Sequence, residues 1–492
     1  GAGDAIAAAE AARPHTGKTV EVKLTAGSAD IDLGGTKAQT LAYNNAVPGP
    51  LIRAKVGDDI AVTVNNGLAH LTSMHSHGLA VRNDMDGASP ATPEIAAGSE
   101  FTYRFSSPYP RTYWASPHTG LDTDYGLYVP VIIDDPAEPG RYDAEWIVML
   151  DDWTPGIGSS PEQIYEGLRP KGGSGQGSMG GMPGMPGMPG MGGMGDMGHM
   201  PGMGGMGSMP GMGGVPGVGG AQASQLLGGD GGDVNYPYYV INGRIPAAAT
   251  TFAAKPGQRI RIRIINAGAD TAFRVALAGH RMTVTHTDGF PVVPTEVDAL
   301  LLGMGERYDV IVTAGDGVFP LVAAAEGKNG LARALLSTNA GSAPATDYRP
   351  TELTRTVGTV DMFTATPQVQ LPTNSDLALQ AQLSGSMARY DWAINGRPYD
   401  QTVPLTIHQG QHATLTFTNQ TMMWHPMHLH GHTFQVLKPD GSPGARKDTV
   451  IVKPMQTVAV RLVADNPGIW MLHCHNAYHM GAGMMTTLNY TD

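Results

Sequence analysis

The chain has 492 residues and a mass of 51.5 kDa, room for roughly two to four domains. Gly (67) and Pro (37) make up about a fifth of it and only 15% of residues are charged, which excludes a charge-rich disordered chain and a coiled coil and favours short strands over long helices. A net charge of -12 with a pI near 5.7 leaves no basic footprint for nucleic acid, and no apolar run approaches the roughly 18 residues that span a bilayer.

The N-terminal stretch 1–17 is Ala-rich and lacks the apolar core of a signal peptide. It fits the mature end of an exported chain or a trimmed one. From Tyr43 onward a pattern begins that occurs three times. Tyr43-Asn44-Asn45 leads to Gly57, and Asn66 follows Gly57 by nine residues. Ile241-Asn242-Gly243 leads to Gly257 and then Asn266; Ile394-Asn395-Gly396 leads to Gly410 and then Asn419, each again nine residues on. Between Gly and Asn, apolar residues alternate: Ile60, Val62, Val64; Ile260, Ile262, Ile264; Ala413, Leu415, Phe417. Period two is a half-buried strand, and a turn Gly, a strand and an Asn turn recurring three times predict three homologous β-sandwich domains.

The histidines share this register. His75 and His77 stand nine and eleven residues past Asn66, and His428 and His430 stand nine and eleven past Asn419. After Asn266 the same slots hold Val275 and Leu277. Residues i and i+2 of a strand share a face, so domains 1 and 3 each present two imidazoles together. Further on, Pro110-Arg111-Thr112-Tyr113 corresponds to Pro467-Gly468-Ile469-Trp470. His473 and His475 lie three and five past Trp470; past Tyr113 the same slots hold Ser116 and His118, so the repeat asks for a histidine where Ser116 stands.

Domain 1 is placed at 1–136, domain 2 at 137–346 with an insert at about 170–232, and domain 3 at 347–492. Within the insert, methionine falls on every third residue from Met179 to Met212, twelve in succession among Gly, Pro and Ser. Gly keeps no strict third-residue period, which excludes collagen. The segment has too little apolar surface for a core and reads either as a low-complexity linker or, because thioethers prefer Cu(I), as a string of exchangeable Cu(I) sites, joined by His199.

The C-terminal run is His473-Cys474-His475-Asn476-Ala477-Tyr478-His479, with Met484 beyond. Cys474 is the one cysteine, so no intramolecular disulfide forms. One thiolate, two imidazoles and a distant thioether make a blue-copper set, met by His425, Cys474, His479 and Met484. A structural zinc site usually takes two to four Cys, so one Cys among many His and Met favours copper. His15, His70, His280, His286, His408, His412 and His432 have no register partner and read as ordinary.

The motifs His75-Ser76-His77-Gly78, Trp114 to His118, His425-Pro426-Met427-His428-Leu429-His430-Gly431, and His473-Cys474-His475 through Met484 resemble those of the three-domain multicopper oxidases, the laccase family, with its bacterial copper-resistance members. The resemblance covers nearly all of the chain outside the insert. It implies an all-β fold of three consecutive cupredoxin-like Greek-key β-sandwich domains. It also implies a type 1 copper on His425, Cys474, His479 and axial Met484, and a trinuclear cluster between domains 1 and 3. There the type 2 copper would take His75 and His428, one type 3 copper His118, His430 and His473, and the other His77 and His475 with a third ligand at position 116.

The family has His at 116 and usually Trp at Ser76. About four coppers per chain are implied, with the type 3 pair incompletely filled. Asp86 matches an acid that the family places near the cluster to relay protons; otherwise it is a turn Asp before Gly87. The implied activity is oxidation of phenolic or aromatic donors, or of Cu(I), coupled to reduction of O2 to water. Electrons would pass from Cys474 through His473 and His475. The resemblance further points to copper tolerance and to an exported protein, in the periplasm, at the cell surface or secreted. The alternative is a copper-sequestering protein without turnover, which Ser116 supports and the intact type 1 set opposes.

Overall fold

The computed structural model describes residues 1–138, 141–170 and 223–492. They form three successive two-sheet β-sandwiches of the cupredoxin type. In the first, the sheet ordered Lys37–Tyr43, Thr19–Asp32, Asp59–Asn66, Glu100–Ser106 packs on the sheet ordered Ile52–Lys55, Val129–Asp134, Arg111–Ser116, His75–His77. The second and third sandwiches repeat this plan with more strands, and their cores are continuous with each other.

The recurring residues hold equivalent places in all three. The strands Asp59–Asn66, Arg259–Asn266 and His412–Asn419 each pair parallel to the first long strand of their domain and antiparallel to a later one. Gly57, Gly257 and Gly410 enter them with φ of 84°, 83° and 88°, a left-handed backbone that glycine adopts without strain. Asn66, Asn266 and Asn419 are buried at the strand ends. Each donates its amide to two or more carbonyls of neighbouring loops and accepts one backbone N–H two residues ahead. Asn44, Asn242 and Asn395, also left-handed, clip their turns to the first strand the same way. The repeat is thus a set of backbone locks, which is why its polar residues recur as regularly as its apolar ones.

The alternating burial expected of the middle strand holds in domain 3 and, apart from buried Ala61, in domain 1, but not in domain 2. There Arg261 and Arg263, between the inward isoleucines, are also buried. Domain 1 covers them. Asp309 accepts from Arg261 at 2.6 and 2.9 Å, lies 3.5 Å from Arg263, and accepts the Thr112 hydroxyl of domain 1 at 3.0 Å. Burial would raise the Asp309 carboxyl, but the two guanidiniums hold it below its usual range. The Ala-rich N-terminus forms a helix, Ala2–Ala11, as Ala favours; Glu10 pins it by accepting from the Ser106 N–H. The methionine run lies outside the described residues. Eleven residues past its last methionine, Ala223–Ser224 and Gly229–Asp230 pair as a hairpin, with Leu227 buried in the core between.

Asp309→Ala leaves two buried guanidiniums short of a counter-charge. It is expected to destabilise the protein by about 3–5 kcal/mol, read as an earlier unfolding midpoint in urea. An unchanged midpoint would show that Glu138 and Glu145 alone satisfy the two arginines.

Candidate metal centre

Strand periodicity delivers the side chains. The strand Ile469–Cys474 pairs with His425–Leu429, setting His473 against His428 and Cys474 against Met427. Successive residues of a strand point to opposite faces. His473 therefore turns toward domain 1 while Cys474 turns into the apolar core of domain 3, where it is wholly buried. His75–His77 pairs with Arg111–Ser116, with His75 opposite Ser116 and His77 opposite Trp114.

The imidazoles of His75, His77, His118, His428, His430, His473 and His475 converge between domains 1 and 3. The two register pairs stack across the boundary: His75 on His430 with centroids 3.7 Å apart, and His77 on His428 at 3.8 Å. Most outward ring nitrogens give their proton to a protein acceptor. His75 Nδ1 donates to the Asp86 carbonyl (2.8 Å) and His430 Nδ1 to the Asp86 carboxylate (2.8 Å). His428 Nδ1 donates to the Asp448 carbonyl (2.9 Å), His77 Nε2 to the Asp448 carboxylate (3.1 Å), and His473 Nδ1 to the Cys474 carbonyl (2.9 Å).

The inward nitrogens are left as lone pairs. His75 Nε2, His77 Nδ1 and His428 Nε2 are buried without a hydrogen-bond partner. His430 Nε2 and His473 Nε2 face each other at 3.0 Å, and His118 Nε2 is 3.4 Å from His473 Nε2. Lone pairs meeting at such distances are what a shared cation satisfies. Burial, reinforced by the neighbouring imidazoles, holds His118 and His475 down at about 3 and keeps His77, His430 and His473 well below the usual histidine range. These rings are neutral at pH 7, the form that ligates metals.

On the domain 3 side, His425 Nδ1 is 3.5 Å and His479 Nδ1 is 3.7 Å from Cys474 Sγ, and the two nitrogens are 3.1 Å apart. Their outer nitrogens meet the Thr421 hydroxyl (2.9 Å) and the Asp233 carboxylate (2.6 Å). Burial opposes charge at His479, yet Asp233, with Cys474, raises it to about 10; the same carboxylate would balance a bound cation. Met484 is buried, and its backbone bonds both to His479 (3.0 Å) and to Cys474 (3.1 Å).

Groups able to share one ion are His75, His428 and His430; His118, His430 and His473; His425, Cys474 and His479; and His77, His428 and Asp448. His77 and His475 are neighbours at 5.0 Å, and His428, stacked on His77, lies 5.9 Å from His475, but among the described residues no group able to share one ion contains both His77 and His475. Ser116 is buried and shares a face with Trp114, whose ring packs on His77 (5.3 Å) and His475 (5.7 Å). The histidines without a register partner sit elsewhere and have protein partners, such as Asp122 for His70, Glu138 for His286 and Tyr490 for His432.

Sequence reasoning missed Asp448, Asp233 and Thr449, whose hydroxyl lies 3.2 Å from His77 Nε2 and 3.1 Å from His428 Nδ1. Asp448 and Thr449 lie outside the repeated pattern, and Asp233 hides at the end of the Gly-rich insert. It also missed Gly305 of domain 2, where a Cβ would stand 2.7 Å from His77 and 3.0 Å from His475. A soft thiolate–imidazole set beside an all-imidazole cluster suits copper in its two oxidation states.

Comparison with known proteins agrees. Family models described as multicopper oxidase match residues 25–138, 215–341 and 372–492. The multicopper oxidase MmcO of Mycobacterium tuberculosis is 60% identical over 99% of this chain and 90% of its own length. A copper resistance protein A homolog of Pseudomonas syringae pv. tomato is 26% identical, covering 94% of this chain and 91% of its own. The fold matches the laccase of Botrytis aclada with a TM-score of 0.73 at 23% identity, over 98% of this chain and 89% of that one. With its converging imidazoles, its Cys474 between two of them and these three matched segments, the chain belongs to the multicopper oxidases, copper-dependent oxidoreductases that use O2 as acceptor.

Proposed function

We propose that this protein is a laccase-like oxidase that takes single electrons from phenolic or aromatic donors, or from Cu(I), and serves copper tolerance as an exported protein. The observation that carries this reading is the placement of Cys474. Its sulfur lies among His425 and His479 while its covalent neighbours, His473 and His475, reach the imidazole cluster. One short stretch of backbone thus joins a one-electron site to a multi-electron site.

In this reading His425, Cys474, His479 and Met484 hold the type 1 copper and His75 and His428 the type 2 copper. His118, His430 and His473 hold one type 3 copper, and His77 and His475 the other. When bound, copper supplies one-electron transfer at the first site and the four-electron reduction of O2 at the cluster. The protein's part is orientation and proton handling. Asp86 fixes His75 through its carbonyl and His430 through one carboxylate oxygen, while its other oxygen, 3.3 Å from His75 Nδ1, accepts no hydrogen bond; this carboxylate is assigned the proton relay of the cluster. Asp448, well below the usual carboxylate range despite burial because of Arg307, fixes His77 and keeps its Nδ1 turned inward. The methionine run, outside the described residues, is assigned to Cu(I) recruitment, since thioethers favour that ion.

A second reading, copper storage without turnover, is favoured by one feature. Position 116 bears a hydroxyl, a poor copper ligand beside imidazole.

Cys474→Ser is expected to abolish the thiolate-to-copper absorption band and all O2 uptake; a variant that stays blue would overturn the type 1 set. Ser116→His is expected to raise copper per chain and to speed reoxidation of the blue centre by O2, with the blue band unchanged. Equal copper content and O2 uptake before and after would mean that the missing ligand is already replaced or that position 116 does not serve the cluster. Deleting residues 175–215 should lower Cu(I) binding and oxidation while sparing oxidation of an organic donor. Undiminished Cu(I) handling would return the run to a linker.

A further inference from the structure

His479 rides on a short helix, Ala477–Ala482. At six residues it has little intrinsic stability, and much of what holds it comes from outside domain 3. Asn476 caps it, accepting from the Tyr478 and His479 N–H groups, and is itself held by the Asp270 carboxylate of domain 2 at 2.7 Å. The Ala477 N–H reaches the Ala269 carbonyl, and His479 reaches Asp233. Domain 1 supplies one further grip. The Tyr478 hydroxyl donates to Asp124 Oδ2 at 2.5 Å, and the Tyr236 hydroxyl of domain 2 donates to the same oxygen at 3.0 Å. Asp124 is 2% exposed and Tyr478 fully buried. Three residues from three domains therefore meet on one oxygen, while Asp124 Oδ1 has no partner.

Tyr478 precedes His479, so the two side chains leave the helix about 100° apart. Asp124 restrains one direction and Asp233 the other, and together they fix the rotation of the helix about its axis. The potential and colour of a thiolate–imidazole copper site respond to small changes in ligand placement and in surrounding hydrogen bonds. Asp124 also closes the turn Asp122–Asp124, six residues past His118. The segment that grips the helix is thus continuous with one that supplies the imidazole cluster.

We propose that Asp124 is a positioning residue for the thiolate–imidazole site, holding Tyr478 across the boundary between domains 1 and 3 and so setting the placement of His479. The inference rests on the type 1 reading above. It predicts a role separable from simple packing, because Tyr236 donates to the same oxygen without belonging to the helix.

The test uses the copper-loaded full chain and the variants Tyr478→Phe, Asp124→Ala, Asp124→Asn, Tyr236→Phe and the combined Tyr478→Phe/Asp124→Ala. Copper per chain, the thiolate-to-copper band and the equilibrium for reduction of the blue centre by a one-electron donor are measured for each. Tyr478→Phe and Asp124→Ala are expected to shift the band and change the reduction equilibrium by about three- to tenfold in the same direction, and the combined variant to add nothing, as for residues acting through one contact. Asp124→Asn, which keeps an acceptor oxygen, should restore most of the wild-type behaviour, and Tyr236→Phe should leave both readouts in place. Should Asp124→Ala fail to fold, the isosteric pair Tyr478→Phe and Tyr236→Phe decides. An unmoved band and equilibrium in Tyr478→Phe with copper intact, or an equal shift in Tyr236→Phe, would overturn the proposal. A wild-type protein that binds copper without any blue band would instead overturn the type 1 reading on which it rests.

Discussion

An imidazole can turn a lone pair into a buried cluster only if its other nitrogen hands its proton outward, and in a dry site the acceptor must come from the protein. That requirement organises the centre of this molecule. Asp86 serves one ring from each side of the domain 1–domain 3 boundary, with its carbonyl for His75 and its carboxylate for His430. Asp448 does the same for His428 and His77. Two aspartates, one in each domain, thus set the tautomers of the two stacked pairs. Burial then keeps His77 and His430 neutral.

A buried carboxylate must itself be balanced, and this draws domain 2 into the site. Arg307 donates to one oxygen of Asp448, lies 2.9 Å from the other, and donates to the carbonyls of Thr112, Gly305 and Asp288, so one guanidinium touches all three domains. Asp288 accepts the backbone N–H groups of Asp448 and Thr449, and Lys447 lies 3.0 Å from Asp288 and 2.9 Å from Glu306. These charges are buried, and each is matched. Removing one partner leaves the other uncompensated, which is far costlier than losing a surface pair. Domain 2 has no histidine in the register slots, yet its charges keep the ligand-bearing strands of the other two domains in place.

The same domain supports the thiolate side. Asp233 holds His479, Asp270 holds the Asn476 cap, and Lys328, buried with Asp270 at 2.7 Å, balances that carboxylate. Trp392 covers both imidazoles of the site, 4.5 Å from His479 and 5.2 Å from His425. The two sites, joined through Cys474, are therefore held by two separate sets of buried carboxylates, and each set depends on the way the domains dock.

Much of this was legible in the sequence because it is periodic. A strand repeats every two residues, so the alternation in 60–64, 260–264 and 413–417 announced three sandwiches, and the His-x-His pairs in phase with Asn66 and Asn419 announced two faces bearing imidazoles. The Asn and Gly of each repeat could be seen to recur, although their work as backbone locks became visible only with their partners in place. The empty slot at Ser116 was legible for the same reason, as a departure from a register. What had no period could not be read. Asp448 and Asp233 are single carboxylates, alike in sequence to any surface acid, and they matter because folding places each within 2.6–3.1 Å of a ring nitrogen. Arg261 and Arg263 looked like the solvent face of a strand and are buried because domain 1 closes over them. The sequence by itself determined which side chains share a face, since that follows from local backbone geometry. Which faces meet, and which distant charges make the meeting stable, was decided by the docking of three domains, because hydrogen bonds and ion pairs depend on distance in space and not on separation along the chain.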